Sequence, residues 1–368
     1  MQKHGDPARS FCAQRALASG TVTGQEDAER SISDSGFVLA PPDRLYLSSA
    51  LYDTWDPADD LSLGRSLDFR TYLATLAQGQ PTARSRGIGN GRALHDAAIS
   101  FSLAARVVDA RSVGILGGHG ESRGSETYEA VARIAYALSR QDFTILTGGG
   151  PGAMEAAHLG ARYAPLGDVA LTDALARISR DPTVTHFPFP HGSDLVKDGA
   201  FDQAALRQLH AWMKPAMELA IESEASAGAS VGIPTWLYGH EPATPFATEH
   251  AKYFENSIRE EGLLTLAIYG AIYAPGKAGT LQEIFEDANQ NFYGPPNEGM
   301  SPMVFLDLDG YWTRRFPVVP ILRELFGERF DDVVVVAASA DAAVAAIEAR
   351  AADVATWASA AADRKLRA

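Results

Sequence analysis

The pattern of apolar and polar positions changes character about a third of the way along the chain. From residue 112 onward, short continuous apolar runs recur at 112–117, 143–147, 229–233, 266–274, 302–306 and 332–337. Runs of this length without polar alternation suit strands buried on both faces. Segments with apolar residues at helical spacing separate most of them, at 125–140, 152–162, 204–224, 248–261, 279–291, 313–326 and 339–360. Strands alternating with helices predict βαβ units, right-handed crossovers and a doubly wound parallel sheet of the α/β class, flanked by helices. Ligands of such sheets sit beyond the carboxyl ends of the strands.

Two regions depart from this alternation. Residues 1 to about 40 are small and polar, and residues 41–110 carry helical patterns at 67–76 and 95–108 around a Gly/Arg stretch at 84–92. That stretch reads as a surface connection, or alternatively as a basic lid over a phosphate. Residues 163–228 run through Pro182, His186, Pro188, Pro190, His191 and Gly192 into a long helix at 204–223. They read as an insertion beside the site, a lid or a dimer element. The expected division is an N-terminal extension, partly irregular and partly helical, over 1–110, and a nucleotide-binding domain over 111–368 with an insertion at about 163–228.

Composition narrows the partners. Lys and Arg number 32 and Asp and Glu 46, a net charge of −14. So acidic a chain is a poor partner for nucleic acid or an anionic membrane. A small anionic ligand in a locally positive pocket remains open. Cys12 is the single cysteine, which leaves no intramolecular disulfide and no cysteine-based zinc site. No apolar run approaches the ~20 residues of a membrane span, and the first residues lack the apolar core of a signal peptide. A cytoplasmic protein is expected.

The candidate chemistry lies in two glycine loops, each between a strand and a helix. The first is Gly148-Gly149-Gly150-Pro151-Gly152-Ala153-Met154-Glu155; the second is Pro275-Gly276-Lys277-Ala278-Gly279-Thr280-Leu281-Gln282-Glu283. A helix start leaves backbone N–H groups unpaired at the positive end of the helix dipole, which suits phosphate. A third glycine loop, containing Gly117, Gly118, His119 and Gly120, would join them on the same sheet edge. Neither main loop fits the dinucleotide or P-loop spacings. Thr280 to Glu283 also fits a capping box, and Arg259 could pair with Glu255 one turn away. His119 reads as a loop residue rather than a base, and Glu155 as a first-turn charge match. The histidines 186, 191, 240 and 250 are too scattered for a metal site. Trp212, Trp236, Tyr238, Phe246 and Tyr253 are candidates for a base pocket or for core.

Together the two loops resemble those of the Lonely Guy (LOG) family of nucleotide 5′-monophosphate phosphoribohydrolases, with the GGGxxGxM loop one residue shorter here and Lys277 in place of a glycine of PGGxGTxxE. The resemblance covers roughly residues 110–340. It implies a Rossmann-like fold, a homodimer or higher homo-oligomer, no cofactor, and hydrolysis of a nucleoside monophosphate to free base and ribose 5-phosphate. It carries the catalytic pair onto Glu283 and Arg259. It carries binding of the phosphate and nucleotide onto Gly118, Gly148, Gly149, Gly150, Gly152, Met154, Glu155, Pro275, Gly276, Lys277, Gly279 and Thr280. Lys277 adds a cation or obstructs the loop. No lysine is set in a pyridoxal-phosphate context, so the family's older decarboxylase label gains nothing. The alternatives are a non-catalytic nucleotide or pterin-cofactor carrier of the same fold, and a regulatory protein whose N-terminal hundred residues bind a partner.

Overall fold

The computed structural model describes residues 39–80, 82, 85–189, 195–237, 241–294 and 300–367. The stretch at 1–38, Arg84, Pro190, His191, Gly192, Tyr238 and His240 lie outside the described residues. The first part of the chain holds β1 (Tyr46–Leu47), α1 (Ser48–Leu51), α2 (Leu67–Gln78) and α3 (Arg86–Val107). Then come β2 (Arg111–Leu116), α4 (Glu126–Ser139), β3 (Phe143–Thr147), α5 (Ala153–Tyr163) and α6 (Asp168–Ile178). A two-strand hairpin, β4 (Val196–Lys197) with β5 (Ala200–Phe201), leads into α7 (Gln203–Glu222), β6 (Ser230–Gly232), β7 (Glu249–His250) and α8 (Asn256–Leu266). The last part holds β8 (Ala271–Tyr273), α9 (Ala278–Tyr293), β9 (Met303–Leu306), α10 (Val318–Phe326), α11 (Phe330–Val333), β10 (Val334–Ala337) and α12 (Ala340–Arg367).

Eight of these strands form one sheet in the order β1-β7-β6-β3-β2-β8-β9-β10. Every neighbouring pair is parallel except β1 with β7. The chain therefore winds outward from β2 in one direction through β3, β6 and β7, and in the other through β8, β9 and β10. This is the doubly wound α/β architecture, and its switch point lies between β2 and β8. Among the described residues no helix is long and apolar enough to cross a membrane.

The strands are apolar throughout because both faces are covered. Val113, Ile115, Ile145, Ile272, Val304 and Leu306 face one core with α4, α5 and α12, while Leu116, Leu146, Tyr273, Met303 and Phe305 face another with α3, α8, α9 and α10. Helix starts are fixed locally where the sequence supplies a cap. Ser125 accepts the Tyr128 N–H at 3.0 Å, and Asp202 accepts the Ala205 N–H at 2.9 Å. Each cap satisfies one of the otherwise unpaired N–H groups.

A third core joins the two regions that broke the alternation. Leu51, Tyr52, Leu63, Phe69 and Tyr72 pack with Phe187, Phe189, Leu206, Leu209, Trp212 and Met213. The segment before β2 and the 163–228 insertion thus bury each other. Trp236 belongs to this cluster, and Phe246 and Tyr253 to the two sheet cores.

Three expectations are corrected. The helix expected over 248–261 begins only at Asn256, since Glu249 and His250 form β7. The Ala251 and Tyr253 N–H groups then donate to Gly232 O and Pro234 O, so this segment's backbone bonds go to the sheet. The strand expected over 266–274 is confined to 271–273, because α8 runs on to Leu266. The Gly/Arg stretch is not a surface connection: residues 86–92 are the first turns of α3, and buried Arg92 donates to Gly79 O and Gln78 Oε1.

Helices α4 and α5 touch backbone to backbone. A Cβ at Gly160 would stand 1.9 Å from the Ala132 carbonyl oxygen. Gly160→Ala should force the helices apart and lower stability by about 1–3 kcal/mol, read as a shift of the urea midpoint with helical content retained. An unchanged midpoint would contradict the contact.

Candidate functional site

Loops from four adjacent strands meet at the carboxyl edge. After β2, the Gly118 N–H donates to Pro275 O at 3.0 Å, and Gly118 O accepts the Ala153 N–H at 3.2 Å. The loops following β2, β3 and β8 are thereby tied by main chain alone. Gly152 has φ 70°, and a Cβ there would lie 2.3 Å from Gly118 O. Neither the conformation nor the space admits another residue.

The first glycine loop is anchored from beneath. The Gly149 N–H donates to Thr147 Oγ1 at 2.8 Å, and Gly149 O accepts the Thr244 N–H at 2.8 Å. Thr147 Oγ1 lies 2.8 Å from His158 Nε2, and His158 Nδ1 lies 2.8 Å from Ser230 Oγ. Burial pushes the His158 pKa down to about 3, so a neutral imidazole bridges β3 to β6. The Met154 sulfur lies against Gly148 and its methyl against Gly150.

The second loop presents open donors. Helix α9 begins at Ala278, with exposed Lys277 at the cap position and no side-chain cap. The first backbone bond of α9 is from the Leu281 N–H to Lys277 O at 2.8 Å. The N–H groups of residues 277–280 therefore find no acceptor among the described residues. The Tyr311 O–H donates to Gly276 O at 2.6 Å and holds the loop from outside. A Cβ at Gly276 would fall 2.1 Å from Thr280 Oγ1, while Gly279 has nothing within 4 Å. In the first loop the N–H groups of Gly149 and Ala153 are already used, while those of Gly150, Gly152, Met154 and Glu155, like those at the start of α9, find no acceptor among the described residues.

Glu283 and Arg259 stand together beside these donors. Glu283 Oε1 lies 3.5 Å from Arg259 Nη1, and each side chain is 13% exposed. Arg259 also reaches Asn256 Oδ1 at 3.0 Å and Glu260 Oε1 at 3.5 Å. Glu260 in turn accepts from Asn256 Nδ2 at 2.7 Å and Gln282 Nε2 at 2.6 Å. The Arg259 guanidinium comes within 3.3 Å of the point where a Gly148 Cβ would stand. The first loop, α8 and α9 therefore converge on one arginine. Burial raises the Glu283 pKa to about 7, against the pull of Arg259 and with the repulsion of Glu260 and Glu286. Burial also raises Asp287 to about 7, although it accepts the Tyr273 O–H at 2.6 Å.

Several sequence alternatives resolve here. The capping box does not form: Thr280 is the third residue of α9, not its cap, and Glu283 turns to Arg259. Arg259 faces Asn256, Glu260 and Glu283, while Glu255 meets it only through the backbone. Glu155 is removed from the ligand-facing set. Its carboxylate is fully buried, taking Arg123 Nε and Nη2 at 2.7 Å each and the Tyr128 O–H at 2.8 Å. Gly118, Gly149 and Pro275 shape the loops through the main-chain bonds above. His119 Nδ1 lies 3.3 Å from Glu241 Oε1, a pairing the sequence did not suggest. Among the described residues no group of three or more His, Cys, Asp or Glu is placed to hold a metal.

Sequence reasoning missed Glu260, Asn256, Tyr311, Glu241 and Asp96. The Asp96 carboxylate, on α3, accepts the Phe254 N–H at 2.9 Å and the Glu255 N–H at 2.9 Å, and so anchors the two residues that lead into α8. His95 Nδ1 lies 3.0 Å from Asp96 Oδ1, and His95 Nε2 lies 2.8 Å from the Tyr46 hydroxyl. Only Glu260, beside Arg259, carried a local signal.

The SLOG cluster4 family matches residues 110–167, from β2 through the first glycine loop and α5. No curated protein matches the chain. One similar solved structure is the molybdenum cofactor binding protein from the phototrophic bacterium Rippkaea orientalis, with a TM-score of 0.37 and 15% identity over 65% of this chain and 96% of that chain.

The raised pKa of Glu283 has a stability consequence with a definite sign. Between about 4.5 and about 7 the native chain holds a proton that the unfolded chain has lost, so stability falls as pH rises through that window. Glu283→Gln removes this titration, whereas Asp287 titrates alike in both proteins. Relative to wild type, the variant should gain about 1–3 kcal/mol between pH 4.5 and pH 8, read from urea melts at several pH values. A difference independent of pH would contradict the buried, under-compensated carboxyl.

Proposed function

We propose that this protein hydrolyses the N-glycosidic bond of a nucleoside 5′-monophosphate, releasing free base and ribose 5-phosphate. The observation that carries the reading is the Arg259–Glu283 pair, held against Gly148 and beside the open N–H groups of α9. Those N–H groups and the Lys277 ammonium supply the cationic cradle a 5′-phosphate needs. With the phosphate fixed there, the ribose extends toward Glu283.

The C1′–N bond breaks with positive charge building on the ribose. The ionised Glu283 carboxylate stabilises that charge and takes a proton from the attacking water. Arg259 keeps a fraction of Glu283 ionised near neutral pH and orients the nucleotide. Because the carboxylate is the working form and burial sets its pKa near 7, the rate should rise with pH through about 7.

The test is to incubate the protein with a panel of nucleoside monophosphates and follow free base and ribose 5-phosphate by chromatography. The expected result is release from one or a few nucleotides, lost by about 10²–10³-fold in Glu283→Gln with nucleotide binding retained. Turnover of Glu283→Gln at the wild-type rate sinks the mechanism. Lys277 at the mouth of the cradle favours a second reading, a carrier of a nucleotide or phosphorylated pterin. Its mark is a thermal shift with such a ligand and no base released.

A further inference from the structure

A second ionisable pair flanks the first glycine loop, at Gly150 and Gly152 where Arg259 meets it at Gly148. His119 follows β2, Glu241 follows β6, and His119 Nδ1 lies 3.3 Å from Glu241 Oε1. Both remain partly exposed, with side chains at 35% and 22%. The site of a Gly150 Cβ is 3.9 Å from Glu241 Oε2, and the backbone of His119 lies against Gly152. Arg259 reaches the same loop at Gly148, with Met154 lying along both Gly148 and Gly150. The loop thus carries one Arg–Glu pair and one His–Glu pair. The His119 ring packs edge-on to Phe187 at 6.3 Å, and Phe187 packs edge-on to Trp212 at 5.1 Å. The insertion therefore supports the imidazole from behind.

Departure of a nucleobase leaves the electron pair of the broken bond on the base, and the reaction is slow unless the base gains a proton on one of its ring nitrogens. A buried carboxylate such as Glu283 serves the ribose side. Glu283 must be ionised for that task, and the Arg259 guanidinium keeps its proton, so the leaving base draws its proton from another group. Resting on the proposed N-glycosidase activity, we infer that His119, oriented by Glu241, is the acid that protonates the leaving base. The C1′–N bond breaks, its electron pair stays with the base, and the proton passes from the imidazolium Nε2 to a base nitrogen. Water bonds to C1′ and gives its proton to Glu283. His119 then regains a proton from solvent and Glu283 returns one. Glu241 acts as a positioning residue by accepting from Nδ1.

The experiment compares wild type, His119→Gln and Glu241→Gln on two kinds of substrate. One is the nucleotide that wild type cleaves fastest. The other needs no proton on departure: 4-nitrophenyl riboside 5-phosphate, with 7-methylguanosine 5′-monophosphate as a second such probe. His119→Gln should lose about 10²-fold or more in kcat on the nucleotide, with KM little changed, and should keep most of its rate on the activated substrates. Glu241→Gln should show the same selectivity with a smaller loss. Equal losses on both substrate kinds, or no loss on the nucleotide, overturn the assignment while leaving the N-glycosidase reading standing. Absence of any turnover by wild type defeats that reading itself, and the role of His119 with it.

Discussion

The close approach of three backbones at the carboxyl edge is the constraint on which the rest of the site depends. Gly118 is bonded through its N–H to Pro275 and through its carbonyl to Ala153, so the loops after β2, β3 and β8 form one unit. A side chain at Gly152 would occupy the space of Gly118 O, and one at Gly276 the space of Thr280. Removing side chains here is what lets Met154 and Arg259 lie directly on the Gly148–Gly150 backbone. The glycines therefore act less as flexible points than as absent volume. The small-residue interlock fixes where the start of α9, with its open N–H groups, stands relative to the guanidinium.

Two buried Arg–Glu pairs show how differently one chemistry can be used. Arg123 and Glu155 meet through two bonds of 2.7 Å, and Tyr128 takes a further bond to the same carboxylate. Arg123 also donates to Trp212 O at 2.6 Å and stacks over the Trp212 ring. With its hydrogen-bonding capacity engaged, this pair fastens the insertion to the first loop, and breaking it would strand a charge in the interior. Arg259 and Glu283 meet through a single contact at 3.5 Å, with Glu260 competing for the cation. The attraction does not offset the desolvation of Glu283, which is why its pKa rises rather than falls. A loosely paired carboxyl titrating near neutrality is suited to proton traffic; a closed bidentate pair is not.

How much of this was legible follows from where each signal sits in the chain. The sheet could be read because strands buried on both faces show as continuous apolar runs, and 143–147 was placed to the residue. The glycine loops could be read because the close approaches they permit lie within a few residues. Legibility failed where a partner is distant in sequence. The segment 248–261 has helical spacing throughout, yet its first residues are claimed by hydrogen bonds to Gly232 and Pro234. Thr280 to Glu283 spells a capping box, but the helix starts two residues earlier and Glu283 has a better partner across the gap to α8. Glu155 looked like a ligand-facing residue only because Arg123, 32 positions upstream, leaves no local trace.

The start of α8 shows what the segment before the sheet contributes. Glu255 stands at the cap position with no side-chain bond of its own. The approach to the helix is held instead by Asp96 on α3, which takes the Phe254 and Glu255 N–H groups and is braced by His95 and Tyr46. Tyr46 lies on β1, which pairs with β7 at the edge of the sheet. Since Asn256 and Arg259 occupy the first turn beyond the residues that Asp96 anchors, the angle at which Arg259 meets Gly148 is set from outside the glycine-loop sequences. The third core ties the same segment to the insertion that carries Phe187 and Trp212. The segment before β2 and the insertion are thus the supports of the two sides of the site, one under Arg259 and the other behind His119.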